Sequence, residues 1–204
     1  MANANRPSGF TPVQYLNGAP WNGQARLYSI AAAYATALYI GDPVISAGSA
    51  SATGIPTIAL GATTGALRGV IVGLGTQEGL LANPSNLDIT YRPAAATTND
   101  WFAMVVDDPN VLFSIQEESN GTQIAATEIG LNTISKSGTG NGFVSGWMLP
   151  SVTGATPNTT ATLQLRLMGL VRAPAGTNAF GAYAKHLVQI NVHELGHGTG
   201  AAGV

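Results

Sequence analysis

The sequence predicts an all-β fold, a single β-barrel or jelly-roll-like β-sandwich carrying an extended N-terminal arm. Three observations lead there. Short apolar runs recur between turn residues from Val44 onward, at the spacing of a sandwich or barrel. The chain is rich in residues that interrupt helices, with 26 Gly and 11 Pro. No long amphipathic helical pattern appears after residue 40. At 204 residues the chain is long enough for one sizeable core, and such all-β domains commonly reach ~200 residues. The expected division is an arm over 1–23 and a β-rich body over 24–204 that ends in a short Gly-rich tail.

The arm holds Pro7, Gly9, Pro12, Gly18, Pro20 and Gly23 and shows no periodicity. It also holds Phe10, Tyr15 and Trp21, and disordered tails are usually poor in aromatics. Docking is therefore expected, onto the chain's own body or onto a neighbour, with these three residues as the candidate partner-binding set. Residues 27–40 fit a short helix, through their alanines, or a strand, through Tyr28, Tyr34 and Tyr39; they end at the turn Gly41-Asp42-Pro43. Strands are then expected over 55–60, 68–74, 87–92, 101–106, 111–117, 142–149, 160–172 and 184–192. Leu163 to Leu167 alternates leucine with Gln164 and Arg166, and Asp88 to Arg92 alternates in the same way, as a half-buried strand requires. Loops are expected over 46–54, 94–100, 135–141 and 153–160.

Charged residues make up only 9% of the chain, against a usual ~25%. A surface so poor in charge suits a protein that packs against copies or partners, since monomers stay apart through surface charge. The eight Lys and Arg are scattered singly, so the basic footprint of a nucleic-acid binder is missing. Without cysteine there is no disulfide or thiolate chemistry. Residues 1–23 contain no apolar signal core, and residues 30–40 are too short to span a bilayer, so neither secretion nor membrane insertion is expected.

His193-Glu194-Leu195-Gly196-His197 matches H-E-x-x-H, which grips zinc with two histidines on one helical face and uses Glu as general base. The preceding residues 187–192 are β-like, however, and the glycines at 196, 198, 200 and 203 each disfavour helix by ~1 kcal/mol. Gly203 stands where the longer zincin signature has its third His, and only His186 remains elsewhere. The segment is read as a tail after a strand, with no catalytic, cofactor or metal residue assigned; a zinc hydrolase using His193, Glu194 and His197 is the rival of another class. Gly73-Leu74-Gly75 resembles a dinucleotide loop but is spaced one residue too long before Gly79, and is read as a bulge or sheet corner. Asp107-Asp108 and Glu117-Glu118 each place two carboxylates together, a pattern that can serve acid/base work or bind Ca²⁺, but Asp107-Asp108-Pro109-Asn110 is read as a solvated hairpin turn joining 101–106 to 111–117. Trp21, Trp101 and Trp147 are read as core or interface anchors, with a carbohydrate-binding module as a further alternative.

Several phrases together resemble a family of tailed-bacteriophage virion proteins, the capsid decoration or cement proteins. They are Arg6-Pro7-Ser8-Gly9 with Pro12 to Leu16, Trp21-Asn22-Gly23, Gly41-Asp42-Pro43-Val44, Asp107 to Asn110 with Phe113 and Gln116-Glu117, and Ile190-Asn191-Val192-His193 before a Gly/Thr-rich end. The likeness runs from about residue 5 onward, and the order of phrases carries more of it than any single one. It implies a protein on the outer surface of the capsid, bound to the major capsid protein and to copies of itself as a trimer or dimer, with no enzymatic activity, cofactor, nucleic acid or membrane. Another virion role, as a shell, neck or tail subunit, is the alternative within the same class.

Overall fold

The computed structural model describes residues 3–76, 89–94, 98–138, 140–172, 174, 177–196 and 199–203. Its strands are β1 (Thr11–Tyr15), β2 (Arg26–Ile30), β3 (Leu38–Tyr39), β4 (Pro43–Ala50), β5 (Pro56–Leu60) and β6 (Gly69–Gly75). They continue with β7 (Tyr91–Arg92), β8 (Trp101–Val106), β9 (Val111–Gln116), β10 (Asn132–Thr133), β11 (Leu165–Leu170) and β12 (Lys185–Ile190). The fold is all-β, and one 3-10 turn over Ala126–Glu128 is the helical element among the described residues. Among these residues no helix is long and apolar enough to cross a membrane.

Among the described residues two main units of sheet divide the chain, and β3 and β7 form a separate antiparallel pair. β2, β5, β4, β6 and β8 close into a barrel, and β1, β9, β12, β11 and β10 form a five-stranded sheet in that order. Within the barrel only the β2–β5 pair is parallel. Strand alternation links the two units. Ile71 and Val105 point into the barrel with Tyr28, Ile30, Val44 and Ile58. Their neighbours Val70 and Val106 point outward and join Phe113, Ile115, Leu165, Leu167, Val188 and Ile190 of the sheet. The barrel wall is thus apolar on both faces, as a strand packed from two sides must be.

Several expectations change. The arm is not irregular throughout, because residues 11–15 form β1 and pair antiparallel with β9. Trp21 and Ala19 then cover part of its free edge, through Trp21 N–H to the Val13 carbonyl and Tyr15 N–H to that of Ala19. Residues 27–40 hold two strands and no helix. The expected loop over 46–54 is largely the end of β4, whose residues Ser46 to Ala50 are exposed in its hairpin with β5. Residues 142–149 are a loop with bridges only at Met148 and Leu149. Asn141 starts a turn there, its Oδ1 accepting the N–H groups of Phe143 and Val144, and Gly142 takes φ 88°, so an extended run cannot form. Gly73 follows a register shift in β6, as expected of a bulge.

Asp107-Asp108-Pro109-Asn110 does turn, but it joins no hairpin. β8 stays in the barrel while β9 enters the middle of the sheet between β1 and β12. Nor is the turn fully solvated: Asp107 is buried and accepts the Tyr28 hydroxyl at 2.7 Å, with Arg26 at 3.4 Å. That anchor holds the end of β8 to β2 while the chain leaves for the other unit.

Candidate functional site

The residues around the H-E-x-x-H motif lie where the last strand returns to the barrel. His193 forms a parallel bridge with Leu67, and residues 194–196 turn away from it, so this stretch is not helical. Glu194 reaches sideways, its carboxylate accepting the Ser46 N–H at 3.0 Å and the Ser46 hydroxyl and standing 3.6 Å from Arg68. A general base on zinc needs a carboxylate facing the metal; this one is occupied by β4 and by the residue that precedes β6. His193 is buried, and its Nδ1 accepts the Leu195 N–H, which places the ring proton on Nε2. Among the described residues that buried Nε2 has no hydrogen-bond partner. Burial holds the imidazole below its ordinary pKa, and Arg68 adds to the effect against the pull of Asp107, Glu194 and Asp108. His197 lies outside the described residues. Among those described, no group of three His, Asp or Glu side chains could hold a metal ion.

A second histidine is built differently. His186 on β12 and Glu117, just beyond β9, are both fully buried and meet at 3.0 Å. The other carboxylate oxygen accepts the Ile124 N–H at 2.6 Å. Glu117 joins the end of β9 to β12 and to the segment before the 3-10 turn. Glu118 stays nearer the surface, where Lys136 at 2.6 Å and the Ser151 N–H hold its carboxyl below the usual range against a desolvation that acts the other way.

Phe10, Tyr15 and Trp21 do not share one role. Phe10 is 1% exposed and stacks edge-on against Phe113, so it fills a pocket of its own chain. Tyr15 and Trp21 pack partly buried against the same core. Tyr15 lines a cleft of about 620 Å³ with Arg26, Asp107, Asp108 and Leu195. Trp21 lines a groove of about 380 Å³ whose floor and walls include Phe10, Pro12, Ile40, Ile71, Val72, Phe143 and Val144, with no charged residue among them. A third cleft, of about 620 Å³, is rimmed by Phe180, Met168 and Leu170.

Each cleft carries a large apolar side chain that water reaches. Leu195 is 42% exposed at the first, Phe143 67% at the groove and Phe180 41% at the third. Phe143 is the functional candidate that the sequence reading passed over. Its signal was Asn141-Gly142, a turn pair that lifts the next two apolar residues out of any strand. Trp147 by contrast is a core residue, and Trp101 packs against the barrel interior.

Comparison of the chain with protein-family models, with curated proteins and with solved structures yields no match.

Proposed function

We propose that this chain is a structural protein of a tailed-phage virion, a capsid decoration protein on the outer surface of the shell. In this reading it associates with copies of itself and clamps neighbouring major capsid protein subunits. The observation that carries the reading is the set of three separate clefts, each rimmed by an exposed large apolar side chain, on a chain with 9% charged residues. A component held in a lattice meets neighbours on several sides, and each contact needs an apolar anchor seated in a pocket. The resemblance of the order of sequence phrases to phage decoration proteins supports the same reading.

The arm's part in it is narrower than the sequence implied. With Phe10 committed to its own core, Tyr15 and Trp21 remain as arm residues at the clefts. The protein adds contact area across subunit boundaries and so raises the barrier to opening of the shell. The test is co-sedimentation of the purified chain with purified tailed-phage capsids that lack a decoration layer, with copy number from quantitative mass spectrometry. Saturation at hundreds of copies per particle is expected. A few copies would move the protein to the neck or tail, and no saturable binding would overturn the virion reading.

A further inference from the structure

We propose that Asn120 is a site of spontaneous covalent modification, where the side-chain amide is lost by cyclisation onto the Gly121 nitrogen and leaves aspartate and isoaspartate. The inference goes beyond the virion reading and does not rest on it.

The sequence offers this chemistry at Asn17-Gly18, Asn22-Gly23, Asn120-Gly121 and Asn141-Gly142. Glycine follows each asparagine, so at none of them does a side chain shield the attacking nitrogen. In an unfolded chain these pairs would react at similar rates, and any ranking among them comes from the fold. Two conditions set that ranking. The glycine nitrogen must be able to shed its proton, and the asparagine amide must turn its face toward that nitrogen. A hydrogen bond held at either group opposes the reaction, because it has to open first.

The other pairs are each held twice. Gly18 N–H donates to the Tyr15 carbonyl at 2.9 Å, and Asn17 Oδ1 accepts the Ala19 N–H at 3.0 Å. Asn22 Oδ1 accepts the Tyr15 hydroxyl at 2.7 Å and the Gln24 N–H at 3.2 Å. Asn141 Oδ1 accepts the N–H groups of Phe143 and Val144, each at 3.0 Å. Asn120 differs on both counts. Among the described residues neither its side chain nor the Gly121 N–H has a hydrogen-bond partner. Both residues are exposed, in a bend outside every strand.

The surroundings leave this pair open. On one side Glu118 is fixed by Lys136 at 2.6 Å and by its own N–H on the Leu149 carbonyl at 3.0 Å. On the other, Thr122 N–H donates to Thr153 Oγ1 at 2.9 Å, and Val152 N–H donates to the Thr122 carbonyl at 2.8 Å. Gly121 takes φ 76°, and a Cβ there would stand 2.6 Å from Thr153 Oγ1, so the position requires glycine. Asn120 lies between two anchored ends and belongs to neither.

The reaction needs only water. Water takes the Gly121 N–H proton, the nitrogen bonds to Asn120 Cγ, and the Cγ–Nδ2 bond breaks. The departing nitrogen recovers a proton and leaves as ammonia. A second water opens the resulting succinimide at either carbonyl. Opening at Cγ gives aspartate, and opening at the backbone carbonyl gives isoaspartate, whose chain runs on through Cγ. Either product adds one negative charge to a chain whose formal net charge is −2.

The test incubates the full folded chain at mildly alkaline pH and maps its peptides by mass spectrometry, with electron-transfer fragmentation to separate aspartate from isoaspartate. Conversion at Asn120 about tenfold faster than at Asn17, Asn22 or Asn141 is expected, the factor that two closed hydrogen bonds supply. The same chain unfolded in guanidinium chloride is the control, and there the rates are expected to converge. Asn120→Gln lengthens the side chain and disfavours the ring. This variant is expected to lose the acidic species that ion exchange resolves from aged wild type, while keeping the wild-type circular dichroism spectrum. An Asn120 that stays intact or converts no faster than the other asparagines, or a ranking that persists in the unfolded chain, would overturn the proposal. So would acidic species that accumulate equally in Asn120→Gln.

Discussion

The molecule contains two histidines beside glutamates, and they are built on opposite plans. His186 and Glu117 are far apart in sequence, fully buried, and turned toward each other at 3.0 Å. His193 and Glu194 are sequence neighbours whose side chains serve different elements, the first buried with an unpartnered Nε2 and the second bonded to Ser46 and Arg68. Adjacency in a motif did not bring the second pair together, because a strand end sends consecutive side chains in opposite directions. A distance of 69 residues did not keep the first pair apart, because β9 and β12 are neighbours in the sheet.

The largest expected effect is on stability. Glu117→Ala strips the partner from the Ile124 N–H and from His186 Nε2 in a site without water access, and each such loss costs about 1–3 kcal/mol. A loss of about 2–6 kcal/mol is expected in urea unfolding. An effect below about 1 kcal/mol would break the contrast, showing that the pair contributes little beyond its space.

Next in size is a pH effect at Asp42, beneath the loop that carries Phe143. Burial pushes its carboxyl up to about 6, against hydrogen bonds from Ser145 and the Tyr39 N–H that pull it down. A carboxyl raised from 3.8 binds its proton more tightly when folded. Its contribution is therefore full below pH 3.8 and lost as pH rises through about 6. Asp42→Asn keeps an acceptor for Tyr39 and should gain on the wild type between pH 4 and 7, by on the order of 2 kcal/mol. Melting temperatures across that range measure it.

His193 runs the other way. Its pKa lies below the ordinary 6.5, so its contribution is present above that value and fades as pH falls through the lowered one. His193→Asn, whose amide oxygen can take the Leu195 N–H, is expected to flatten the acid limb of the stability curve. An unchanged acid limb would place the loss elsewhere.

The smallest effect is expected of Glu194→Gln. The amide keeps an acceptor for Ser46 and forfeits a partly exposed ion pair with Arg68, worth about 0–1 kcal/mol. Zinc content, measured on the same samples, sharpens the point. Stoichiometric zinc in the wild type that disappears in both Glu194→Gln and His193→Asn would overturn the packing account of this pair and restore a metal site.

Much of the fold was legible in local pattern. β8 and β9 stand almost as expected, because continuous apolar runs bounded by turn residues admit little else. β1 was hidden by Pro12 and by its shortness; it exists because β9 offers an edge. Gln164 and Arg92 were expected to face water through strict alternation, yet both are buried. Gln164 donates to the Ala62 and Gly65 carbonyls, and Arg92 to those of Ala31, Ala32, Thr36 and Pro93. Loops with spare carbonyls accept polar side chains that no period-2 pattern would place inside.

Composition and periodicity by themselves determined that the chain is all-β and poor in charge, because these depend on each residue's own torsional and solvation preferences. Only the tertiary structure decided that strands continuous in sequence belong to two units, that Glu117 meets His186 while Glu194 turns from His193, and that Phe143 stands out beside a groove. Those outcomes depend on which strand edges meet, and edge pairing is a relation between distant segments that no local window contains.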